Sequence, residues 1–192
     1  MLYCPSAVKL SASVATLGLN PGGGRDPSQA WEDWCQFSDE DGNSHFVQRW
    51  GKSGGKSALQ WQIERLVCLL GIPEHDLLSA NLVPFRSPDW KALPRTEESL
   101  NFGFSLLDWL LASPELKLVV AFGLGNIERR LVTYLGAESL GEEKTGWGKT
   151  VARFYRTPRF HLAHLPHLSR FCVLGRAQAV GLETRLKSLV AQ

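Results

Sequence analysis

The chain has 192 residues, 44% of them hydrophobic, and a formal net charge of +2, which suits one soluble globular domain with a full core. So balanced a charge neither demands nor forbids a nucleic-acid partner, because a local basic groove suffices for that. No apolar run approaches the ~20 residues of a membrane helix, and Met1-Leu2-Tyr3-Cys4-Pro5 lacks the parts of a signal peptide, so a cytoplasmic protein is expected.

In chain order, Ser13 to Leu19 is small and apolar and reads as a strand that runs into the loop Gly18-Leu19-Asn20-Pro21-Gly22-Gly23-Gly24. Residues 25 to 56 fit a regular alternation least well. Trp31, Trp34, Phe37, Phe46 and Trp50 surround an acidic turn whose Asp-Gly-Asn is a hairpin signal, and we read this stretch as an insertion over the site. Gly51-Lys52-Ser53-Gly54-Gly55-Lys56-Ser57 looks like a phosphate loop, but Trp50 stands where the pattern needs its first glycine and no strand precedes it. Nucleotide hydrolysis is therefore not expected; Lys52 and Lys56 remain candidates for DNA phosphates.

Ser57 can cap a helix that carries Leu59, Ile63, Leu66 and Leu70 on one face and stops at Gly71. Leu77 to Val83 reads as a second strand, and Thr96 opens a helix with Leu100, Phe104, Leu107 and Leu111 at helical spacing. Lys117 to Gly123 is the clearest strand. A helix follows between Gly125 and Gly136, then a strand over Arg159 to His164, then a helix from about Gly175 to Val190 with Ala179, Leu182, Leu186 and Leu189 as its buried stripe. Nearly continuous apolar strands alternating with helices predict a three-layer α/β/α sandwich around a mostly parallel four-stranded sheet, one domain over residues 1–192.

Two loops leave the carboxyl ends of strands, where open α/β sheets place their sites. The first is Gly18 to Gly24, in which glycines bare the backbone and Asn20 adds a donor and an acceptor. The second is His164-Leu165-Pro166-His167-Leu168-Ser169. His161, His164 and His167 suggest a metal, but strand residues three apart face opposite sides, so no metal is expected. A histidine at such a place is either structural or the working group. Asn81, flanked by apolar residues in the second strand, is either a satisfied structural amide or a reader of a pyrimidine edge. Cys4, Cys35, Cys68 and Cys172 are widely separated and read as buried free thiols rather than as a cluster.

Taken together these segments resemble the uracil-DNA glycosylase superfamily. Gly18-Leu19-Asn20-Pro21-Gly22 is similar to its first motif, in the form used by the mismatch-specific and single-strand-selective branches. Ser79 to Pro84 is similar to the strand whose asparagine binds the flipped base, and His164 to Ser169 to the second motif, usually written HPSPLS. The resemblance runs over about residues 13 to 175 in the right order, and the second motif departs from the usual form by reading HLPH.

The resemblance implies a monofunctional DNA glycosylase that needs neither cofactor nor metal and for which a monomer suffices. Asn20 would hold the attacking water, and His164 would stabilise negative charge on the departing base, with His167 as the fallback if the loop is shifted. Asn81 would bind the base edge over an aromatic floor, Trp34 first, with Phe37 and Phe46 as rivals. Leu168 would wedge into the gap left by the flipped nucleotide. Ser169 would contact phosphate, and Arg170, Lys52, Lys56 and Arg86 are further candidates for that. Gly22 stands where the strict uracil enzymes carry a tyrosine, which implies tolerance of C5-substituted pyrimidines, up to hydroxymethylated or glucosylated cytosine in defence against phage DNA. No lysine falls in the three motifs, so Schiff-base lyase chemistry is not expected. The alternatives are a non-catalytic nucleic-acid-binding module on the same fold and a hydrolase of free nucleosides, which would need no wedge.

Overall fold

The computed structural model describes residues 2–22 and 42–191. Its elements are β1 (Val14–Gly18), α1 (Ser44–Val47), α2 (Ala58–Leu70), β2 (Leu77–Asn81), α3 (Thr96–Leu110) and β3 (Leu118–Phe122). There follow α4 (Ile127–Tyr134), β4 (Glu138–Trp147), β5 (Thr150–Arg156), β6 (His161–Leu165) and α5 (Val180–Ala191). One sheet runs β2-β1-β3-β6-β5-β4. Its first four strands are parallel, while β5 and β4 continue the edge antiparallel. The expected parallel strands are present, but the sheet has six strands, not four.

Every residue of β1, β2 and β3 is buried, because helices cover both faces of the sheet. On the first face Ala15, Leu17, Leu78, Ala80, Val119, Ala121 and Leu162 pack with Leu100, Phe104 and Leu107 of α3 and Ile127 and Leu131 of α4. On the second face Val14, Leu77, Val120, Phe122, Ala163 and Leu165 pack with Ile63 and Leu66 of α2 and Leu182, Leu186 and Leu189 of α5. The period of two along each strand thus assigns every strand residue to one helix layer or the other.

The helix boundaries have local causes. Ser57 accepts from the Gln60 amide while the Gln60 side chain accepts from the Ser57 amide, a complete capping box, and Gly71 closes α2 in the left-handed conformation. Helix α3 lies against the chain leaving β2 so closely that a Cβ on Gly103 would stand 2.3 Å from the Leu82 carbonyl oxygen. It starts after Arg95, which is left-handed itself and offers no side-chain cap. The last helix begins at Val180 after a short 3-10 turn, five residues later than the glycine that the sequence suggested.

The β4–β5 hairpin was not expected. Strand β4, Glu-Ser-Leu-Gly-Glu-Glu-Lys-Thr-Gly-Trp, is mostly exposed and carries the charges and glycines that keep an edge strand from pairing further. Up to residue 41 the expected acidic hairpin lies outside the described residues; at its end Asn43 caps α1, accepting from the His45 amide. Of the cysteines, Cys4 is buried as expected, Cys68 and Cys172 are exposed, and Cys35 lies outside the described residues.

Candidate functional site

The parallel strands all end at one edge, and on the second face their last residues form a row. Gly18 pairs with Asn81 across β1 and β2, and Phe122 follows Ala121, the partner of Leu17. The Asn81 carboxamide lies over Gly18: a Cβ there would stand 2.6 Å from Asn81 Nδ2 and 3.4 Å from the Phe122 ring. Glycine at 18 is thus what lets an amide and an aromatic ring meet across β1. Asn81 is buried, and its Oδ1 has no hydrogen-bond partner among the described residues. An orphaned buried carbonyl costs ~1–3 kcal/mol, so its presence calls for a ligand or a compensating group.

Asn20 stands just past β1, half-buried, and its Nδ2 donates to the carbonyls of Pro21 (3.2 Å) and Ser87 (3.4 Å). The loop is braced against the chain after β2. Leu82 N–H donates to Gly18 O, Val83 N–H to Leu19 O and Ser87 N–H to Pro21 O, at 2.8, 2.8 and 3.0 Å. With the donor side of Asn20 engaged, its carbonyl oxygen is the atom left for a further partner. Gly22 is exposed, and no atom of the described residues lies within 4 Å of where its Cβ would be.

The two histidines divide. His164 lies within β6 beside Ala121, on the first face, so it stands on the opposite side of the sheet from Asn81. Its Nδ1 is 2.9 Å from Oε1 of Glu128 on α4. The same carboxylate accepts from Tyr155 Oη at 2.7 Å and Arg153 Nη1 at 2.9 Å. Burial alone pushes the Glu128 carboxyl up, but the hydrogen bond and charge of His164, with Tyr155 and Arg153 behind them, carry it below the ordinary carboxylate value. His164 Nε2 is buried without a partner among the described residues. One planar ligand cannot meet both His164 and Asn81.

His167 stands beyond the end of β6, at the same edge as Asn81. Its ring rests on Gly123, where a Cβ would meet His167 Cδ2 at 2.7 Å and where the backbone is left-handed (φ +72). Burial, then the Arg170 charge, lower its pKa, so the ring is neutral near pH 7. The Ser169 amide donates to Nδ1 at 3.3 Å, and Ser169 Oγ lies 2.7 Å from the same nitrogen. An accepting Nδ1 leaves the neutral ring's proton on Nε2, which makes Nε2 a donor.

The other sequence candidates sort by exposure. Leu168 is fully buried in the second-face core with Phe122 and Leu165. To act as a wedge it would have to leave that core. The helical turn from His167, whose carbonyl accepts from Arg170 and Phe171, swings Leu168 inward and leaves Ser169 and Arg170 exposed. Lys52 is exposed, whereas Lys56 is paired with Glu64 and lies 5.4 Å from the Trp61 ring. Arg86 is near enough to Tyr3 to oppose the rise that burial imposes on its phenol. Phe46 is half-buried against the second face. Trp34 and Phe37 lie outside the described residues.

Two residues were missed. Phe122 ended a strand and drew no notice, though an aromatic just before a left-handed glycine at a strand end marks a site edge. His45 is buried against Tyr3 and Trp50, with ring centroids 5.2 and 4.9 Å away, and no sequence signal distinguished it. Burial lowers its pKa to about 3, and its Nδ1 has no partner among the described residues.

Among the described residues no group of three His, Cys, Asp or Glu is placed to hold a metal ion, and no helix is long and apolar enough to cross a membrane. No family model matches the chain, and no curated protein matches it.

Proposed function

We propose that this chain is a monofunctional DNA glycosylase that flips a pyrimidine out of DNA and hydrolyses its N-glycosidic bond, on the three-layer sandwich of the uracil-DNA glycosylase superfamily. The observation that carries this reading is the Asn81 carboxamide, whose Oδ1 has no partner among the described residues. It is buried beside an aromatic ring, over a glycine, at the carboxyl edge of a parallel sheet. A pyrimidine edge offers adjacent donors and acceptors to such an amide, and Phe122 offers its ring to the base.

In this scheme the Asn20 carbonyl orients a water toward the sugar carbon. Asparagine is no base, so the glycosidic bond breaks largely by departure of the base, which takes the bonding electron pair. The His167 Nε2 proton faces the charge that develops on the base, a preorganised electrostatic role. Water oxygen then bonds to the sugar carbon, its proton goes to the departed base anion, and an abasic site remains. The role moves from His164 to His167 because His164 is held by Glu128 on the opposite face. Gly22, where the strict uracil enzymes carry a tyrosine, brings no side chain against C5, which favours a C5-substituted pyrimidine, hydroxymethylated or glucosylated cytosine included, over strict selection for uracil.

A non-catalytic nucleic-acid-binding module is the second reading, favoured by the burial of Leu168 and the engagement of His164. Base release from oligonucleotides carrying uracil, 5-hydroxymethyluracil, 5-hydroxymethylcytosine or its glucosylated form, as single strand and duplex, separates the two. Asn20→Ala and His167→Ala abolish release while leaving DNA binding in place if the glycosylase reading holds. Binding with no release by the native chain supports the module.

A further inference from the structure

A base-flipping enzyme that acts on duplex DNA needs a side chain to occupy the vacated stack, and the residue expected to do so, Leu168, is fully buried. The unexpected hairpin supplies another. Strand β5 runs antiparallel to β6 with Arg153 opposite His164, so Thr150 lies three residues further toward the carboxyl edge, and β4 ends at Trp147 opposite Thr150. At ~3.3 Å per residue the turn projects about 10 Å past His164, beside the loop that carries His167, Ser169 and Arg170.

Trp147 is 38% exposed at this tip. The indole is held from behind: Nε1 donates to the Cys172 carbonyl at 3.3 Å, Phe171 meets it edge-on at 5.7 Å, and the Arg176 guanidinium lies 4.5 Å from its centroid. Arg176 in turn donates to the Gly146 carbonyl at 3.3 Å, and Thr145 Oγ1 donates to the Thr150 carbonyl at 2.8 Å, which staples the turn. These three partners of the indole, Phe171, Cys172 and Arg176, lie in the segment that packs its Val173 and Leu174 on the second face, the face of Asn81.

The charge around the tip suits a polyanion. Lys149 and Arg170 are exposed there with Arg176 beside them, while the two acidic residues of β4 nearest the tip are matched, Glu143 by Arg185 at 3.2 Å and Glu142 by Arg153 at 3.9 Å.

We propose that the β4–β5 hairpin tip is the element that enters duplex DNA at the flipped nucleotide, with Trp147 stacking in the gap and Lys149, Arg170 and Arg176 meeting the flanking phosphates. This rests on the glycosylase reading. A pre-oriented aromatic on a stapled turn is the form that stacking and wedge elements take, because little side-chain freedom is lost on insertion.

The test uses the full chain with Trp147→Ala and Trp147→Phe, both checked for an unchanged melting temperature. Two quantities are read: base release from single strand and from duplex, using whichever base of the panel the native chain releases, and affinity for duplexes with and without a tetrahydrofuran abasic analogue. The alanine variant loses at least about fivefold in duplex release, the scale of one base–aromatic stack. It keeps single-strand release and loses the preference for the abasic duplex, and phenylalanine restores both. Equal loss on both strand forms, or none on either, overturns the proposal. If the native chain releases no base, the glycosylase reading falls and the affinity arm decides alone. An abasic preference lost on Trp147→Ala and restored by phenylalanine supports the tip as a stacking element. DNA affinity indifferent to Trp147 overturns it.

Discussion

Replacing Asn81 by leucine separates a structural amide from a functional one. Asn81 is 6% exposed and its Oδ1 has no partner among the described residues, an unpaired buried carbonyl that costs the fold ~1–3 kcal/mol. Leucine, of the same branched outline but larger, removes that term and suits a strand better. Against this, the carboxamide sits against Gly18 and Phe122, where a branched side chain costs about 1 kcal/mol in repacking. The net is a stabilisation of about 1 kcal/mol, or ~2–4 °C in Tm for a chain of this size, measured by calorimetry at pH 7. Base release falls about a hundredfold, as two hydrogen bonds of ~1–1.5 kcal/mol each predict. A Tm lowered by several degrees would mean that the amide is satisfied in the fold, and the argument from its orphaned oxygen would fail. A raised Tm with unchanged release would leave the amide without the role proposed for it.

Glu128→Gln removes the charge that His164, Tyr155 and Arg153 share and costs about 3 kcal/mol in urea unfolding, the low end for breaking a buried pair, since Arg153 reaches solvent. The Glu128 carboxyl is depressed in the fold, so its contribution is present above the unfolded carboxylate pKa and fades as pH falls through the folded value; the Gln variant loses that dependence. His45 titrates at about 3 in the fold against 6.5 unfolded, so between those values the unfolded chain binds the extra proton and stability falls as pH drops. His45→Phe flattens this slope, read as unfolding free energy at pH 7 and pH 4. Leu168→Ala costs ~2–5 kcal/mol as a core truncation, whereas a surface wedge would leave the Tm unchanged.

Much of the framework was readable because its signals are local. The serine cap and left-handed glycine that bound α2, and the apolar runs of β1, β2, β3 and β6, depend on neighbours within a few residues. Strand β4 escaped because its stability comes from pairing with β5 while its own side chains face water; only Ala152 and Phe154 of β5, alternating with Arg153 and Tyr155, hinted at the pair. The second loop was found but its register was not. Strand β6 continues to Leu165 and so takes His164 into the sheet, and the following turn points Leu168 inward. A shift of that size follows from pairing with β3, which no local pattern encodes. Asn81 was noticed as a polar residue in an apolar strand, yet its surroundings are set by Gly18 and Phe122, distant in sequence and adjacent in the sheet.

The central claim is most directly tested by base release from the modified-pyrimidine panel, with abasic sites revealed by alkali cleavage, for the native chain beside Asn20→Ala. The account predicts that the native chain leaves alkali-labile sites at one or more of the pyrimidines and that Asn20→Ala, still bound to DNA, leaves none. Native chain that binds every oligonucleotide and releases no base from any, or an Asn20→Ala variant as active as the native chain, would contradict it.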